Sequence, residues 1–159
     1  MKKTLVAYFS ASGVTAKVAK NLAKAADADL YEIRPKTPYT AADLNWIDKQ
    51  ARSTIEMHNK SFRPELLDHD ANISKYDVVY VGFPIWWYVA PTIINTFLES
   101  YDFSGKTIVL FATSGGSGFG NTVKELEKSC EGAKIIEGRI LKSTQSENDL
   151  KEWIETLDI

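Results

Sequence analysis

The strongest constraint on this chain is an alternation: short apolar runs rich in strand-forming residues are separated by segments of helical periodicity. The runs are Thr4 to Phe9, Leu30 to Ile33, Asp77 to Phe83, Lys106 to Ala112 and Lys134 to Arg139. The first, third and fourth are apolar almost throughout rather than at every second residue, as in strands covered on both faces. Between the first two, Val14, Val18 and Leu22 recur on one face with Lys17, Lys20 and Lys24 elsewhere, which predicts a helix ending near Asp27. Pro35 stops the second run. Pro91 suits the first turn of a helix continued by Ile94, Phe97, Leu98 and Tyr101. Val123, Leu126 and Cys130 mark another helix, and Ser146 is placed to cap a last one carrying Leu150, Trp153, Ile154 and Leu157. Such an order implies an α/β fold, a five-stranded parallel sheet with helices on both faces and right-handed crossovers.

The length, 159 residues, is that of one ordinary domain, expected over 1–159. One segment breaks the alternation. Between Pro35 and Asp77 lies a polar stretch too long for a simple loop, holding Tyr39, Trp46, Met57, His58 and Phe62. Thr40 to Asp43 reads as a capping start. The expectation is a helix from about Ala41 to His58, within an inserted helical segment of about 36–75; if this stretch also supplies the second crossover, that helix occupies its place. The single cysteine, Cys130, forms no intramolecular disulfide and fits a reducing compartment. The apolar run before Ser10 is short for a secretion signal and no cleavage site follows it. No stretch is long enough to span a bilayer, so the expected location is cytoplasmic, with no membrane partner. The net charge is −2, with no basic run and no interleaving of aromatic and basic residues, which argues against nucleic acid.

Open parallel sheets bind ligands beyond the carboxyl ends of their strands, and three of those ends here have unusual sequences. After the first run comes Ser10-Ala11-Ser12-Gly13-Val14-Thr15, three hydroxyls and a glycine just before a helix. Free N–H groups and the helix dipole favour an anion there, and the hydroxyls of Ser10, Ser12 and Thr15 can donate to phosphate oxygens. With no Lys or Arg inside it, the loop suits a terminal phosphate monoester held by neutral donors; by itself it reads equally well as an ordinary helix cap. After the third run comes Gly82-Phe83-Pro84-Ile85-Trp86-Trp87-Tyr88-Val89-Ala90-Pro91. Three consecutive aromatics cannot all face a core, so at least one lines a cleft while another packs between helix and sheet. After the fourth comes Thr113-Ser114-Gly115-Gly116-Ser117-Gly118, whose glycines let the backbone approach a ligand edge.

Together these loops resemble the flavodoxin-like superfamily. Tyr8-Phe9-Ser10-Ala11-Ser12-Gly13-Val14-Thr15 is similar to the flavodoxin phosphate loop, with serines where threonines are common. The motifs Gly82 to Trp87 and Thr113 to Gly118, with Arg63-Pro64-Glu65-Leu66, resemble a bacterial FMN-binding subgroup. The resemblance spans nearly the whole chain. It implies a three-layer flavodoxin-like sandwich with strand order 2-1-3-4-5, and FMN as cofactor. It further implies that Ser10, Ser12, Gly13, Val14 and Thr15 hold the phosphate. Pro84, Ile85, Trp86, Trp87 and Tyr88 would flank the ribityl chain and ring, and Thr113, Ser114, Gly115, Gly116, Ser117 and Gly118 would meet the pyrimidine edge. No metal site and no catalytic side chain are expected, because the flavin carries the chemistry.

The chain departs from electron-carrier flavodoxins in charge. Those are usually strongly acidic, whereas here 21 acidic residues face 19 basic ones. An FMN-dependent oxidoreductase acting on a quinone or another small electron acceptor is therefore expected, with Trp46, Trp86 and Trp87 walling a pocket over the flavin. The alternatives are an electron-transfer flavodoxin with a protein redox partner, and a phosphate-binding module without redox chemistry. The aromatic insertion equally suits the closing of a homodimer. His58 and His69 fit no usual metal spacing and read as solvated, and Cys130 reads as a small buried hydrophobe.

Overall fold

The five apolar runs are strands of one parallel sheet in this computed structural model, which describes residues 2–159. They are β1 (Thr4–Tyr8), β2 (Asp29–Glu32), β3 (Val78–Pro84), β4 (Thr107–Thr113) and β5 (Lys134–Ile140). The spatial order is β2-β1-β3-β4-β5. The register sets Tyr8 beside Gly82 and Pro84 beside Thr113, so β1, β3 and β4 finish at the same edge of the sheet. The flavodoxin-like α/β fold expected from the sequence is the fold observed.

Among the described residues four α-helices lie between the strands, α1 (Val14–Ala26), α2 (Arg52–Met57), α3 (Thr92–Glu99) and α4 (Thr122–Glu127), and α5 (Glu147–Glu155) follows β5. Alternate strand residues feed two separate cores, which is why the central strands read as continuously apolar. Leu5, Ala7, Val79, Val81, Ile108 and Leu110 pack with Ile93, Ile94, Phe97 and Leu98 of α3 and Leu126 of α4. Val6, Tyr8, Tyr80, Val109 and Phe111 pack on the other face with Val18 and Leu22 of α1 and Leu150 and Trp153 of α5. Gly82 is needed for packing, since a Cβ there would lie 2.0 Å from the Phe111 ring. Ser146 caps α5 through reciprocal bonds with Asp149, as its sequence predicts.

Three expectations change. The helix expected from about Ala41 to His58 is only α2, Arg52–Met57; 41–50 form turns. The Thr40–Asp43 capping bonds do form, Thr40 N–H to Asp43 Oδ2 at 2.9 Å and Asp43 N–H to Thr40 Oγ1 at 3.2 Å. The helix does not propagate because side chains take the next amides: Asn45 Oδ1 accepts from Ile47 N–H and Asp48 Oδ1 from Gln50 N–H. Val14 leaves the buried face of α1 and is 51% exposed, its place taken by Thr15. Pro91 stands one residue before α3 as its extended cap, not inside its first turn. Among the described residues no helix is long and apolar enough to cross a membrane.

Burial pushes the Cys130 thiol up to about 11 and the Tyr80 phenol up to about 12. The native state therefore holds these protons longer than the unfolded chain. The stabilisation is fully present below the unfolded thiol value and is lost as pH rises through the folded values. Urea denaturation should accordingly give a constant midpoint from neutrality to pH about 9 and a falling one between about 9 and 12. Cys130→Ala should flatten the first part of that fall.

Candidate functional site

The carboxyl ends of β1, β3 and β4 bring the three unusual loops to one edge of the sheet, but not into one cavity. Ile85, Trp86, Trp87 and Tyr88 form one wall of a cleft of about 540 Å³, and Ser114, Gly115, Gly116 and Ser117 form the facing wall. Leu44, Trp46 and Ser53 from the segment before β3 complete it. Its volume lies within the range of small-molecule sites. Among the described residues no charged side chain lines it, so it suits a flat, neutral ring better than an ionic group.

The loop Ser10 to Thr15 is not part of that cleft's lining. It lies beside it, tied by a hydrogen bond between the buried hydroxyls of Thr15 and Thr113, 2.7 Å apart. Gly13 has φ of 96°, a left-handed value that favours glycine, and is the residue before α1. Ser10 Oγ accepts the Gly13 N–H at 3.1 Å, which closes the loop and leaves the serine proton free to donate outward. Among the described residues no side chain caps α1, so its first N–H groups face outward from a 13-residue helix. Ser12, Gly13 and Val14 are exposed; Thr15 and Thr113 are buried.

The glycine-rich loop is shaped by Ser114, whose Oγ accepts from Gly116 N–H at 3.1 Å and Ser117 N–H at 2.8 Å. These two amides are therefore already engaged. A Cβ added at Gly115, Gly116 or Gly118 would meet nothing within 4 Å, so the loop's outer side is open.

The aromatic loop divides its rings as the sequence requires. Trp86 packs inward, edge-on to Phe9 at 5.7 Å and to Tyr39 at 5.4 Å between ring centroids. Pro84 and Trp87 are half-buried and Tyr88 is 67% exposed. Trp86 N–H donates to Val89 C=O at 2.9 Å and Val89 N–H to Trp86 C=O at 3.1 Å, closing a two-residue turn. Its central residues, Trp87 and Tyr88, have φ of 47° and 67°. Positive φ at both centres belongs to the turn type that favours Asn-Gly, so two aromatics here carry backbone strain.

The segment before β3 is clamped to this wall. Arg52 donates through Nε to the buried Glu56 at 2.8 Å and lies 3.9 Å above the Tyr39 ring. Tyr39 O–H donates to Glu56. Burial first, and that bond second, raise the Tyr39 phenol far above its ordinary range. Because Tyr39 also touches Trp86, the clamp reaches the cleft through one ring. Sequence reading did not single out Leu44, Ser53, Arg52 or Glu56 for this site. Arg52 and Glu56 do have helical spacing, a signal that speaks only for a local ion pair. Elsewhere, His58 and His69 are both exposed, while Cys130 is buried.

The family model described as Flavodoxin matches residues 3–157. Among solved structures, a candidate flavoprotein from Bacteroides eggerthii is 46% identical with a TM-score of 0.93, covering 100% of this chain and 99% of that one. A candidate flavoprotein from Bacteroides uniformis is 50% identical, with a TM-score of 0.91 over 98% and 99% of the two chains. A flavoprotein from Lactobacillus acidophilus, solved in complex with FMN, is 25% identical with a TM-score of 0.68, covering 97% and 99%. Among curated proteins no sequence match is found.

The strained turn yields a test. Tyr88→Asn keeps the turn while placing there a residue that tolerates positive φ. Its chemical denaturation should show the ligand-free protein stabilised by about 0.5–1 kcal/mol. By contrast, Glu56→Ala removes the carboxylate that accepts from both Arg52 and Tyr39, leaving Arg52 its bonds to the Thr37 and Pro38 carbonyls, and should cost about 2 kcal/mol.

Proposed function

This chain belongs to the flavodoxin family, and we propose that it binds FMN and works as an FMN-dependent oxidoreductase on a quinone or another small electron acceptor. The observation that carries this reading is the pairing of an uncharged cleft between aromatic and glycine-rich loops with an uncapped helix N-terminus beside it. A flat ring with a phosphate-ended tail needs both, at adjacent strand ends. The Lactobacillus acidophilus flavoprotein complex with FMN supports the choice of cofactor.

The residues present fit that cofactor. The donors at the helix start are hydroxyls and backbone amides without a cation, a set suited to a phosphate monoester. The open side of the glycine loop leaves room for a ring edge. In this reading Ser10, Ser12, Gly13, Val14 and Thr15 hold the phosphate. Pro84, Ile85, Trp86, Trp87 and Tyr88 flank the ribityl chain and the ring, with Trp87 and Tyr88 excluding water. Thr113, Ser114, Gly115, Gly116, Ser117 and Gly118 meet the pyrimidine edge, with Thr113 also fixing Thr15. Bound there, FMN supplies one- and two-electron transfer. The protein's part is to orient the ring and keep the cleft neutral. The near balance of 21 acidic and 19 basic residues favours a small acceptor over a docked redox protein.

The purified protein should be yellow, with one FMN per chain released on denaturation. Ser12→Ala with Thr15→Val should weaken FMN binding by about tenfold or more, read by flavin fluorescence quenching. Turnover of a quinone by NAD(P)H without added reductase supports the oxidoreductase. If a flavin is bound and no acceptor is turned over, the electron-transfer flavodoxin replaces it; a colourless protein sinks both.

A further inference from the structure

We propose that a second cavity beside the cleft binds flat hydroxyaromatic molecules, with His58 Nε2 accepting a hydrogen bond from the ligand's hydroxyl. The cavity is open, about 710 Å³, and walled by Trp46, Trp87, Ile47 and Ile55 with His58. Trp46 and Trp87 line both this cavity and the cleft, so an occupant lies directly beside whatever fills the cleft.

Among the described residues nothing covers the apolar wall. Trp46, Ile47 and Ile55 are 71%, 74% and 53% exposed. Large apolar side chains gathered around a concavity mark a binding surface, whereas scattered ones do not. The polar element is oriented. His58 Nδ1 lies 2.6 Å from the Thr54 carbonyl oxygen. A carbonyl only accepts, so Nδ1 donates to it, and in the imidazole form this tautomer makes Nε2 the lone-pair acceptor. The ring stands edge-on to Trp87, with centroids 6.0 Å apart and planes at 70°. Apolar walls for ring area and one fixed acceptor select a flat aromatic that carries a hydroxyl. The other ionisable group lining the cavity is Lys49, a donor that leaves this preference in place.

The reduced form of a quinone belongs to this ligand class, so the inference deepens, and rests on, the oxidoreductase reading. The probes are naphthol and its methyl ether, which differ in the hydroxyl proton. Calorimetric titration of the FMN-loaded protein in mildly alkaline buffer should show naphthol binding about tenfold tighter than the ether. His58→Phe should reduce that preference to within about twofold, and His58→Gln, which keeps an acceptor, should restore part of it. Equal affinities in the native protein, or a preference unchanged in His58→Phe, overturn the proposal. So does displacement of FMN by naphthol, which would put the ligand in the cleft instead. Sedimentation showing a dimer that Trp46→Glu dissolves, with no naphthol bound, gives the wall to a second copy and also overturns it. The visible flavin band recorded on the same samples separates the two readings. Its absence sinks the FMN assignment, while naphthol selectivity is still read on the ligand-free chain.

Discussion

The site depends on the parallel pairing of β1 with β3 and on the departure of their crossovers to opposite faces. Strand order β2-β1-β3-β4-β5 makes this pair the point where the chain reverses its direction of travel across the sheet. The helix after β1 leaves towards one core and the helix after β3 towards the other. A crevice must open between the loops that precede them. The hydrogen bond between Thr15 and Thr113 then spans it, joining the start of α1 to the end of β4. The aromatic turn between Trp86 and Val89 stands on the strand lying between those two points.

Two kinds of order meet at this edge. The strand ends are rigid, because both sheet faces are filled by side chains with almost no exposure. The segment before β3 is held differently, through a partly buried ion pair, a guanidinium over a ring and one phenol. Arg52 and Glu56 do not line the cleft themselves. They keep charge out of it while fixing Tyr39 against Trp86. The two aromatics at positive φ, Trp87 half-buried and Tyr88 exposed, stand where the turn prefers an Asn-Gly pair, a strain that accords with the proposed ligand role of these rings.

Much of this was legible from residue order. Continuous apolar runs revealed the strands because both faces of a parallel sheet are covered, and Ser146 revealed a helix start because its cap is local. The loops at Ser10, Trp86 and Ser114 were visible as unusual sequences at strand ends. The stretch before β3 was not. Thr40 and Asp43 do make a capping box, yet Asn45 and Asp48 divert the following amides, a competition among local bonds that periodicity does not report. Nor does any pattern place Ser53 or Leu44 at the cleft, because their position follows from tertiary docking of the segment before β3. Val14 carries an apolar side chain at a helix start that points outward, where the needs of the loop outweigh those of the core.

In the proposed reading one ligand spans both halves of the edge, its ring in the neutral cleft and its phosphate at the start of α1. The most direct measurement compares the affinities of FMN and riboflavin, which share the ring and differ in the phosphate, for the ligand-free protein by fluorescence quenching. FMN should bind more tightly by about a hundredfold, and the gap should narrow when Ser12 and Thr15 lose their hydroxyls. Equal affinities for the two would rule out a phosphate site there, because the loop from Ser10 to Thr15 would then be only a helix cap.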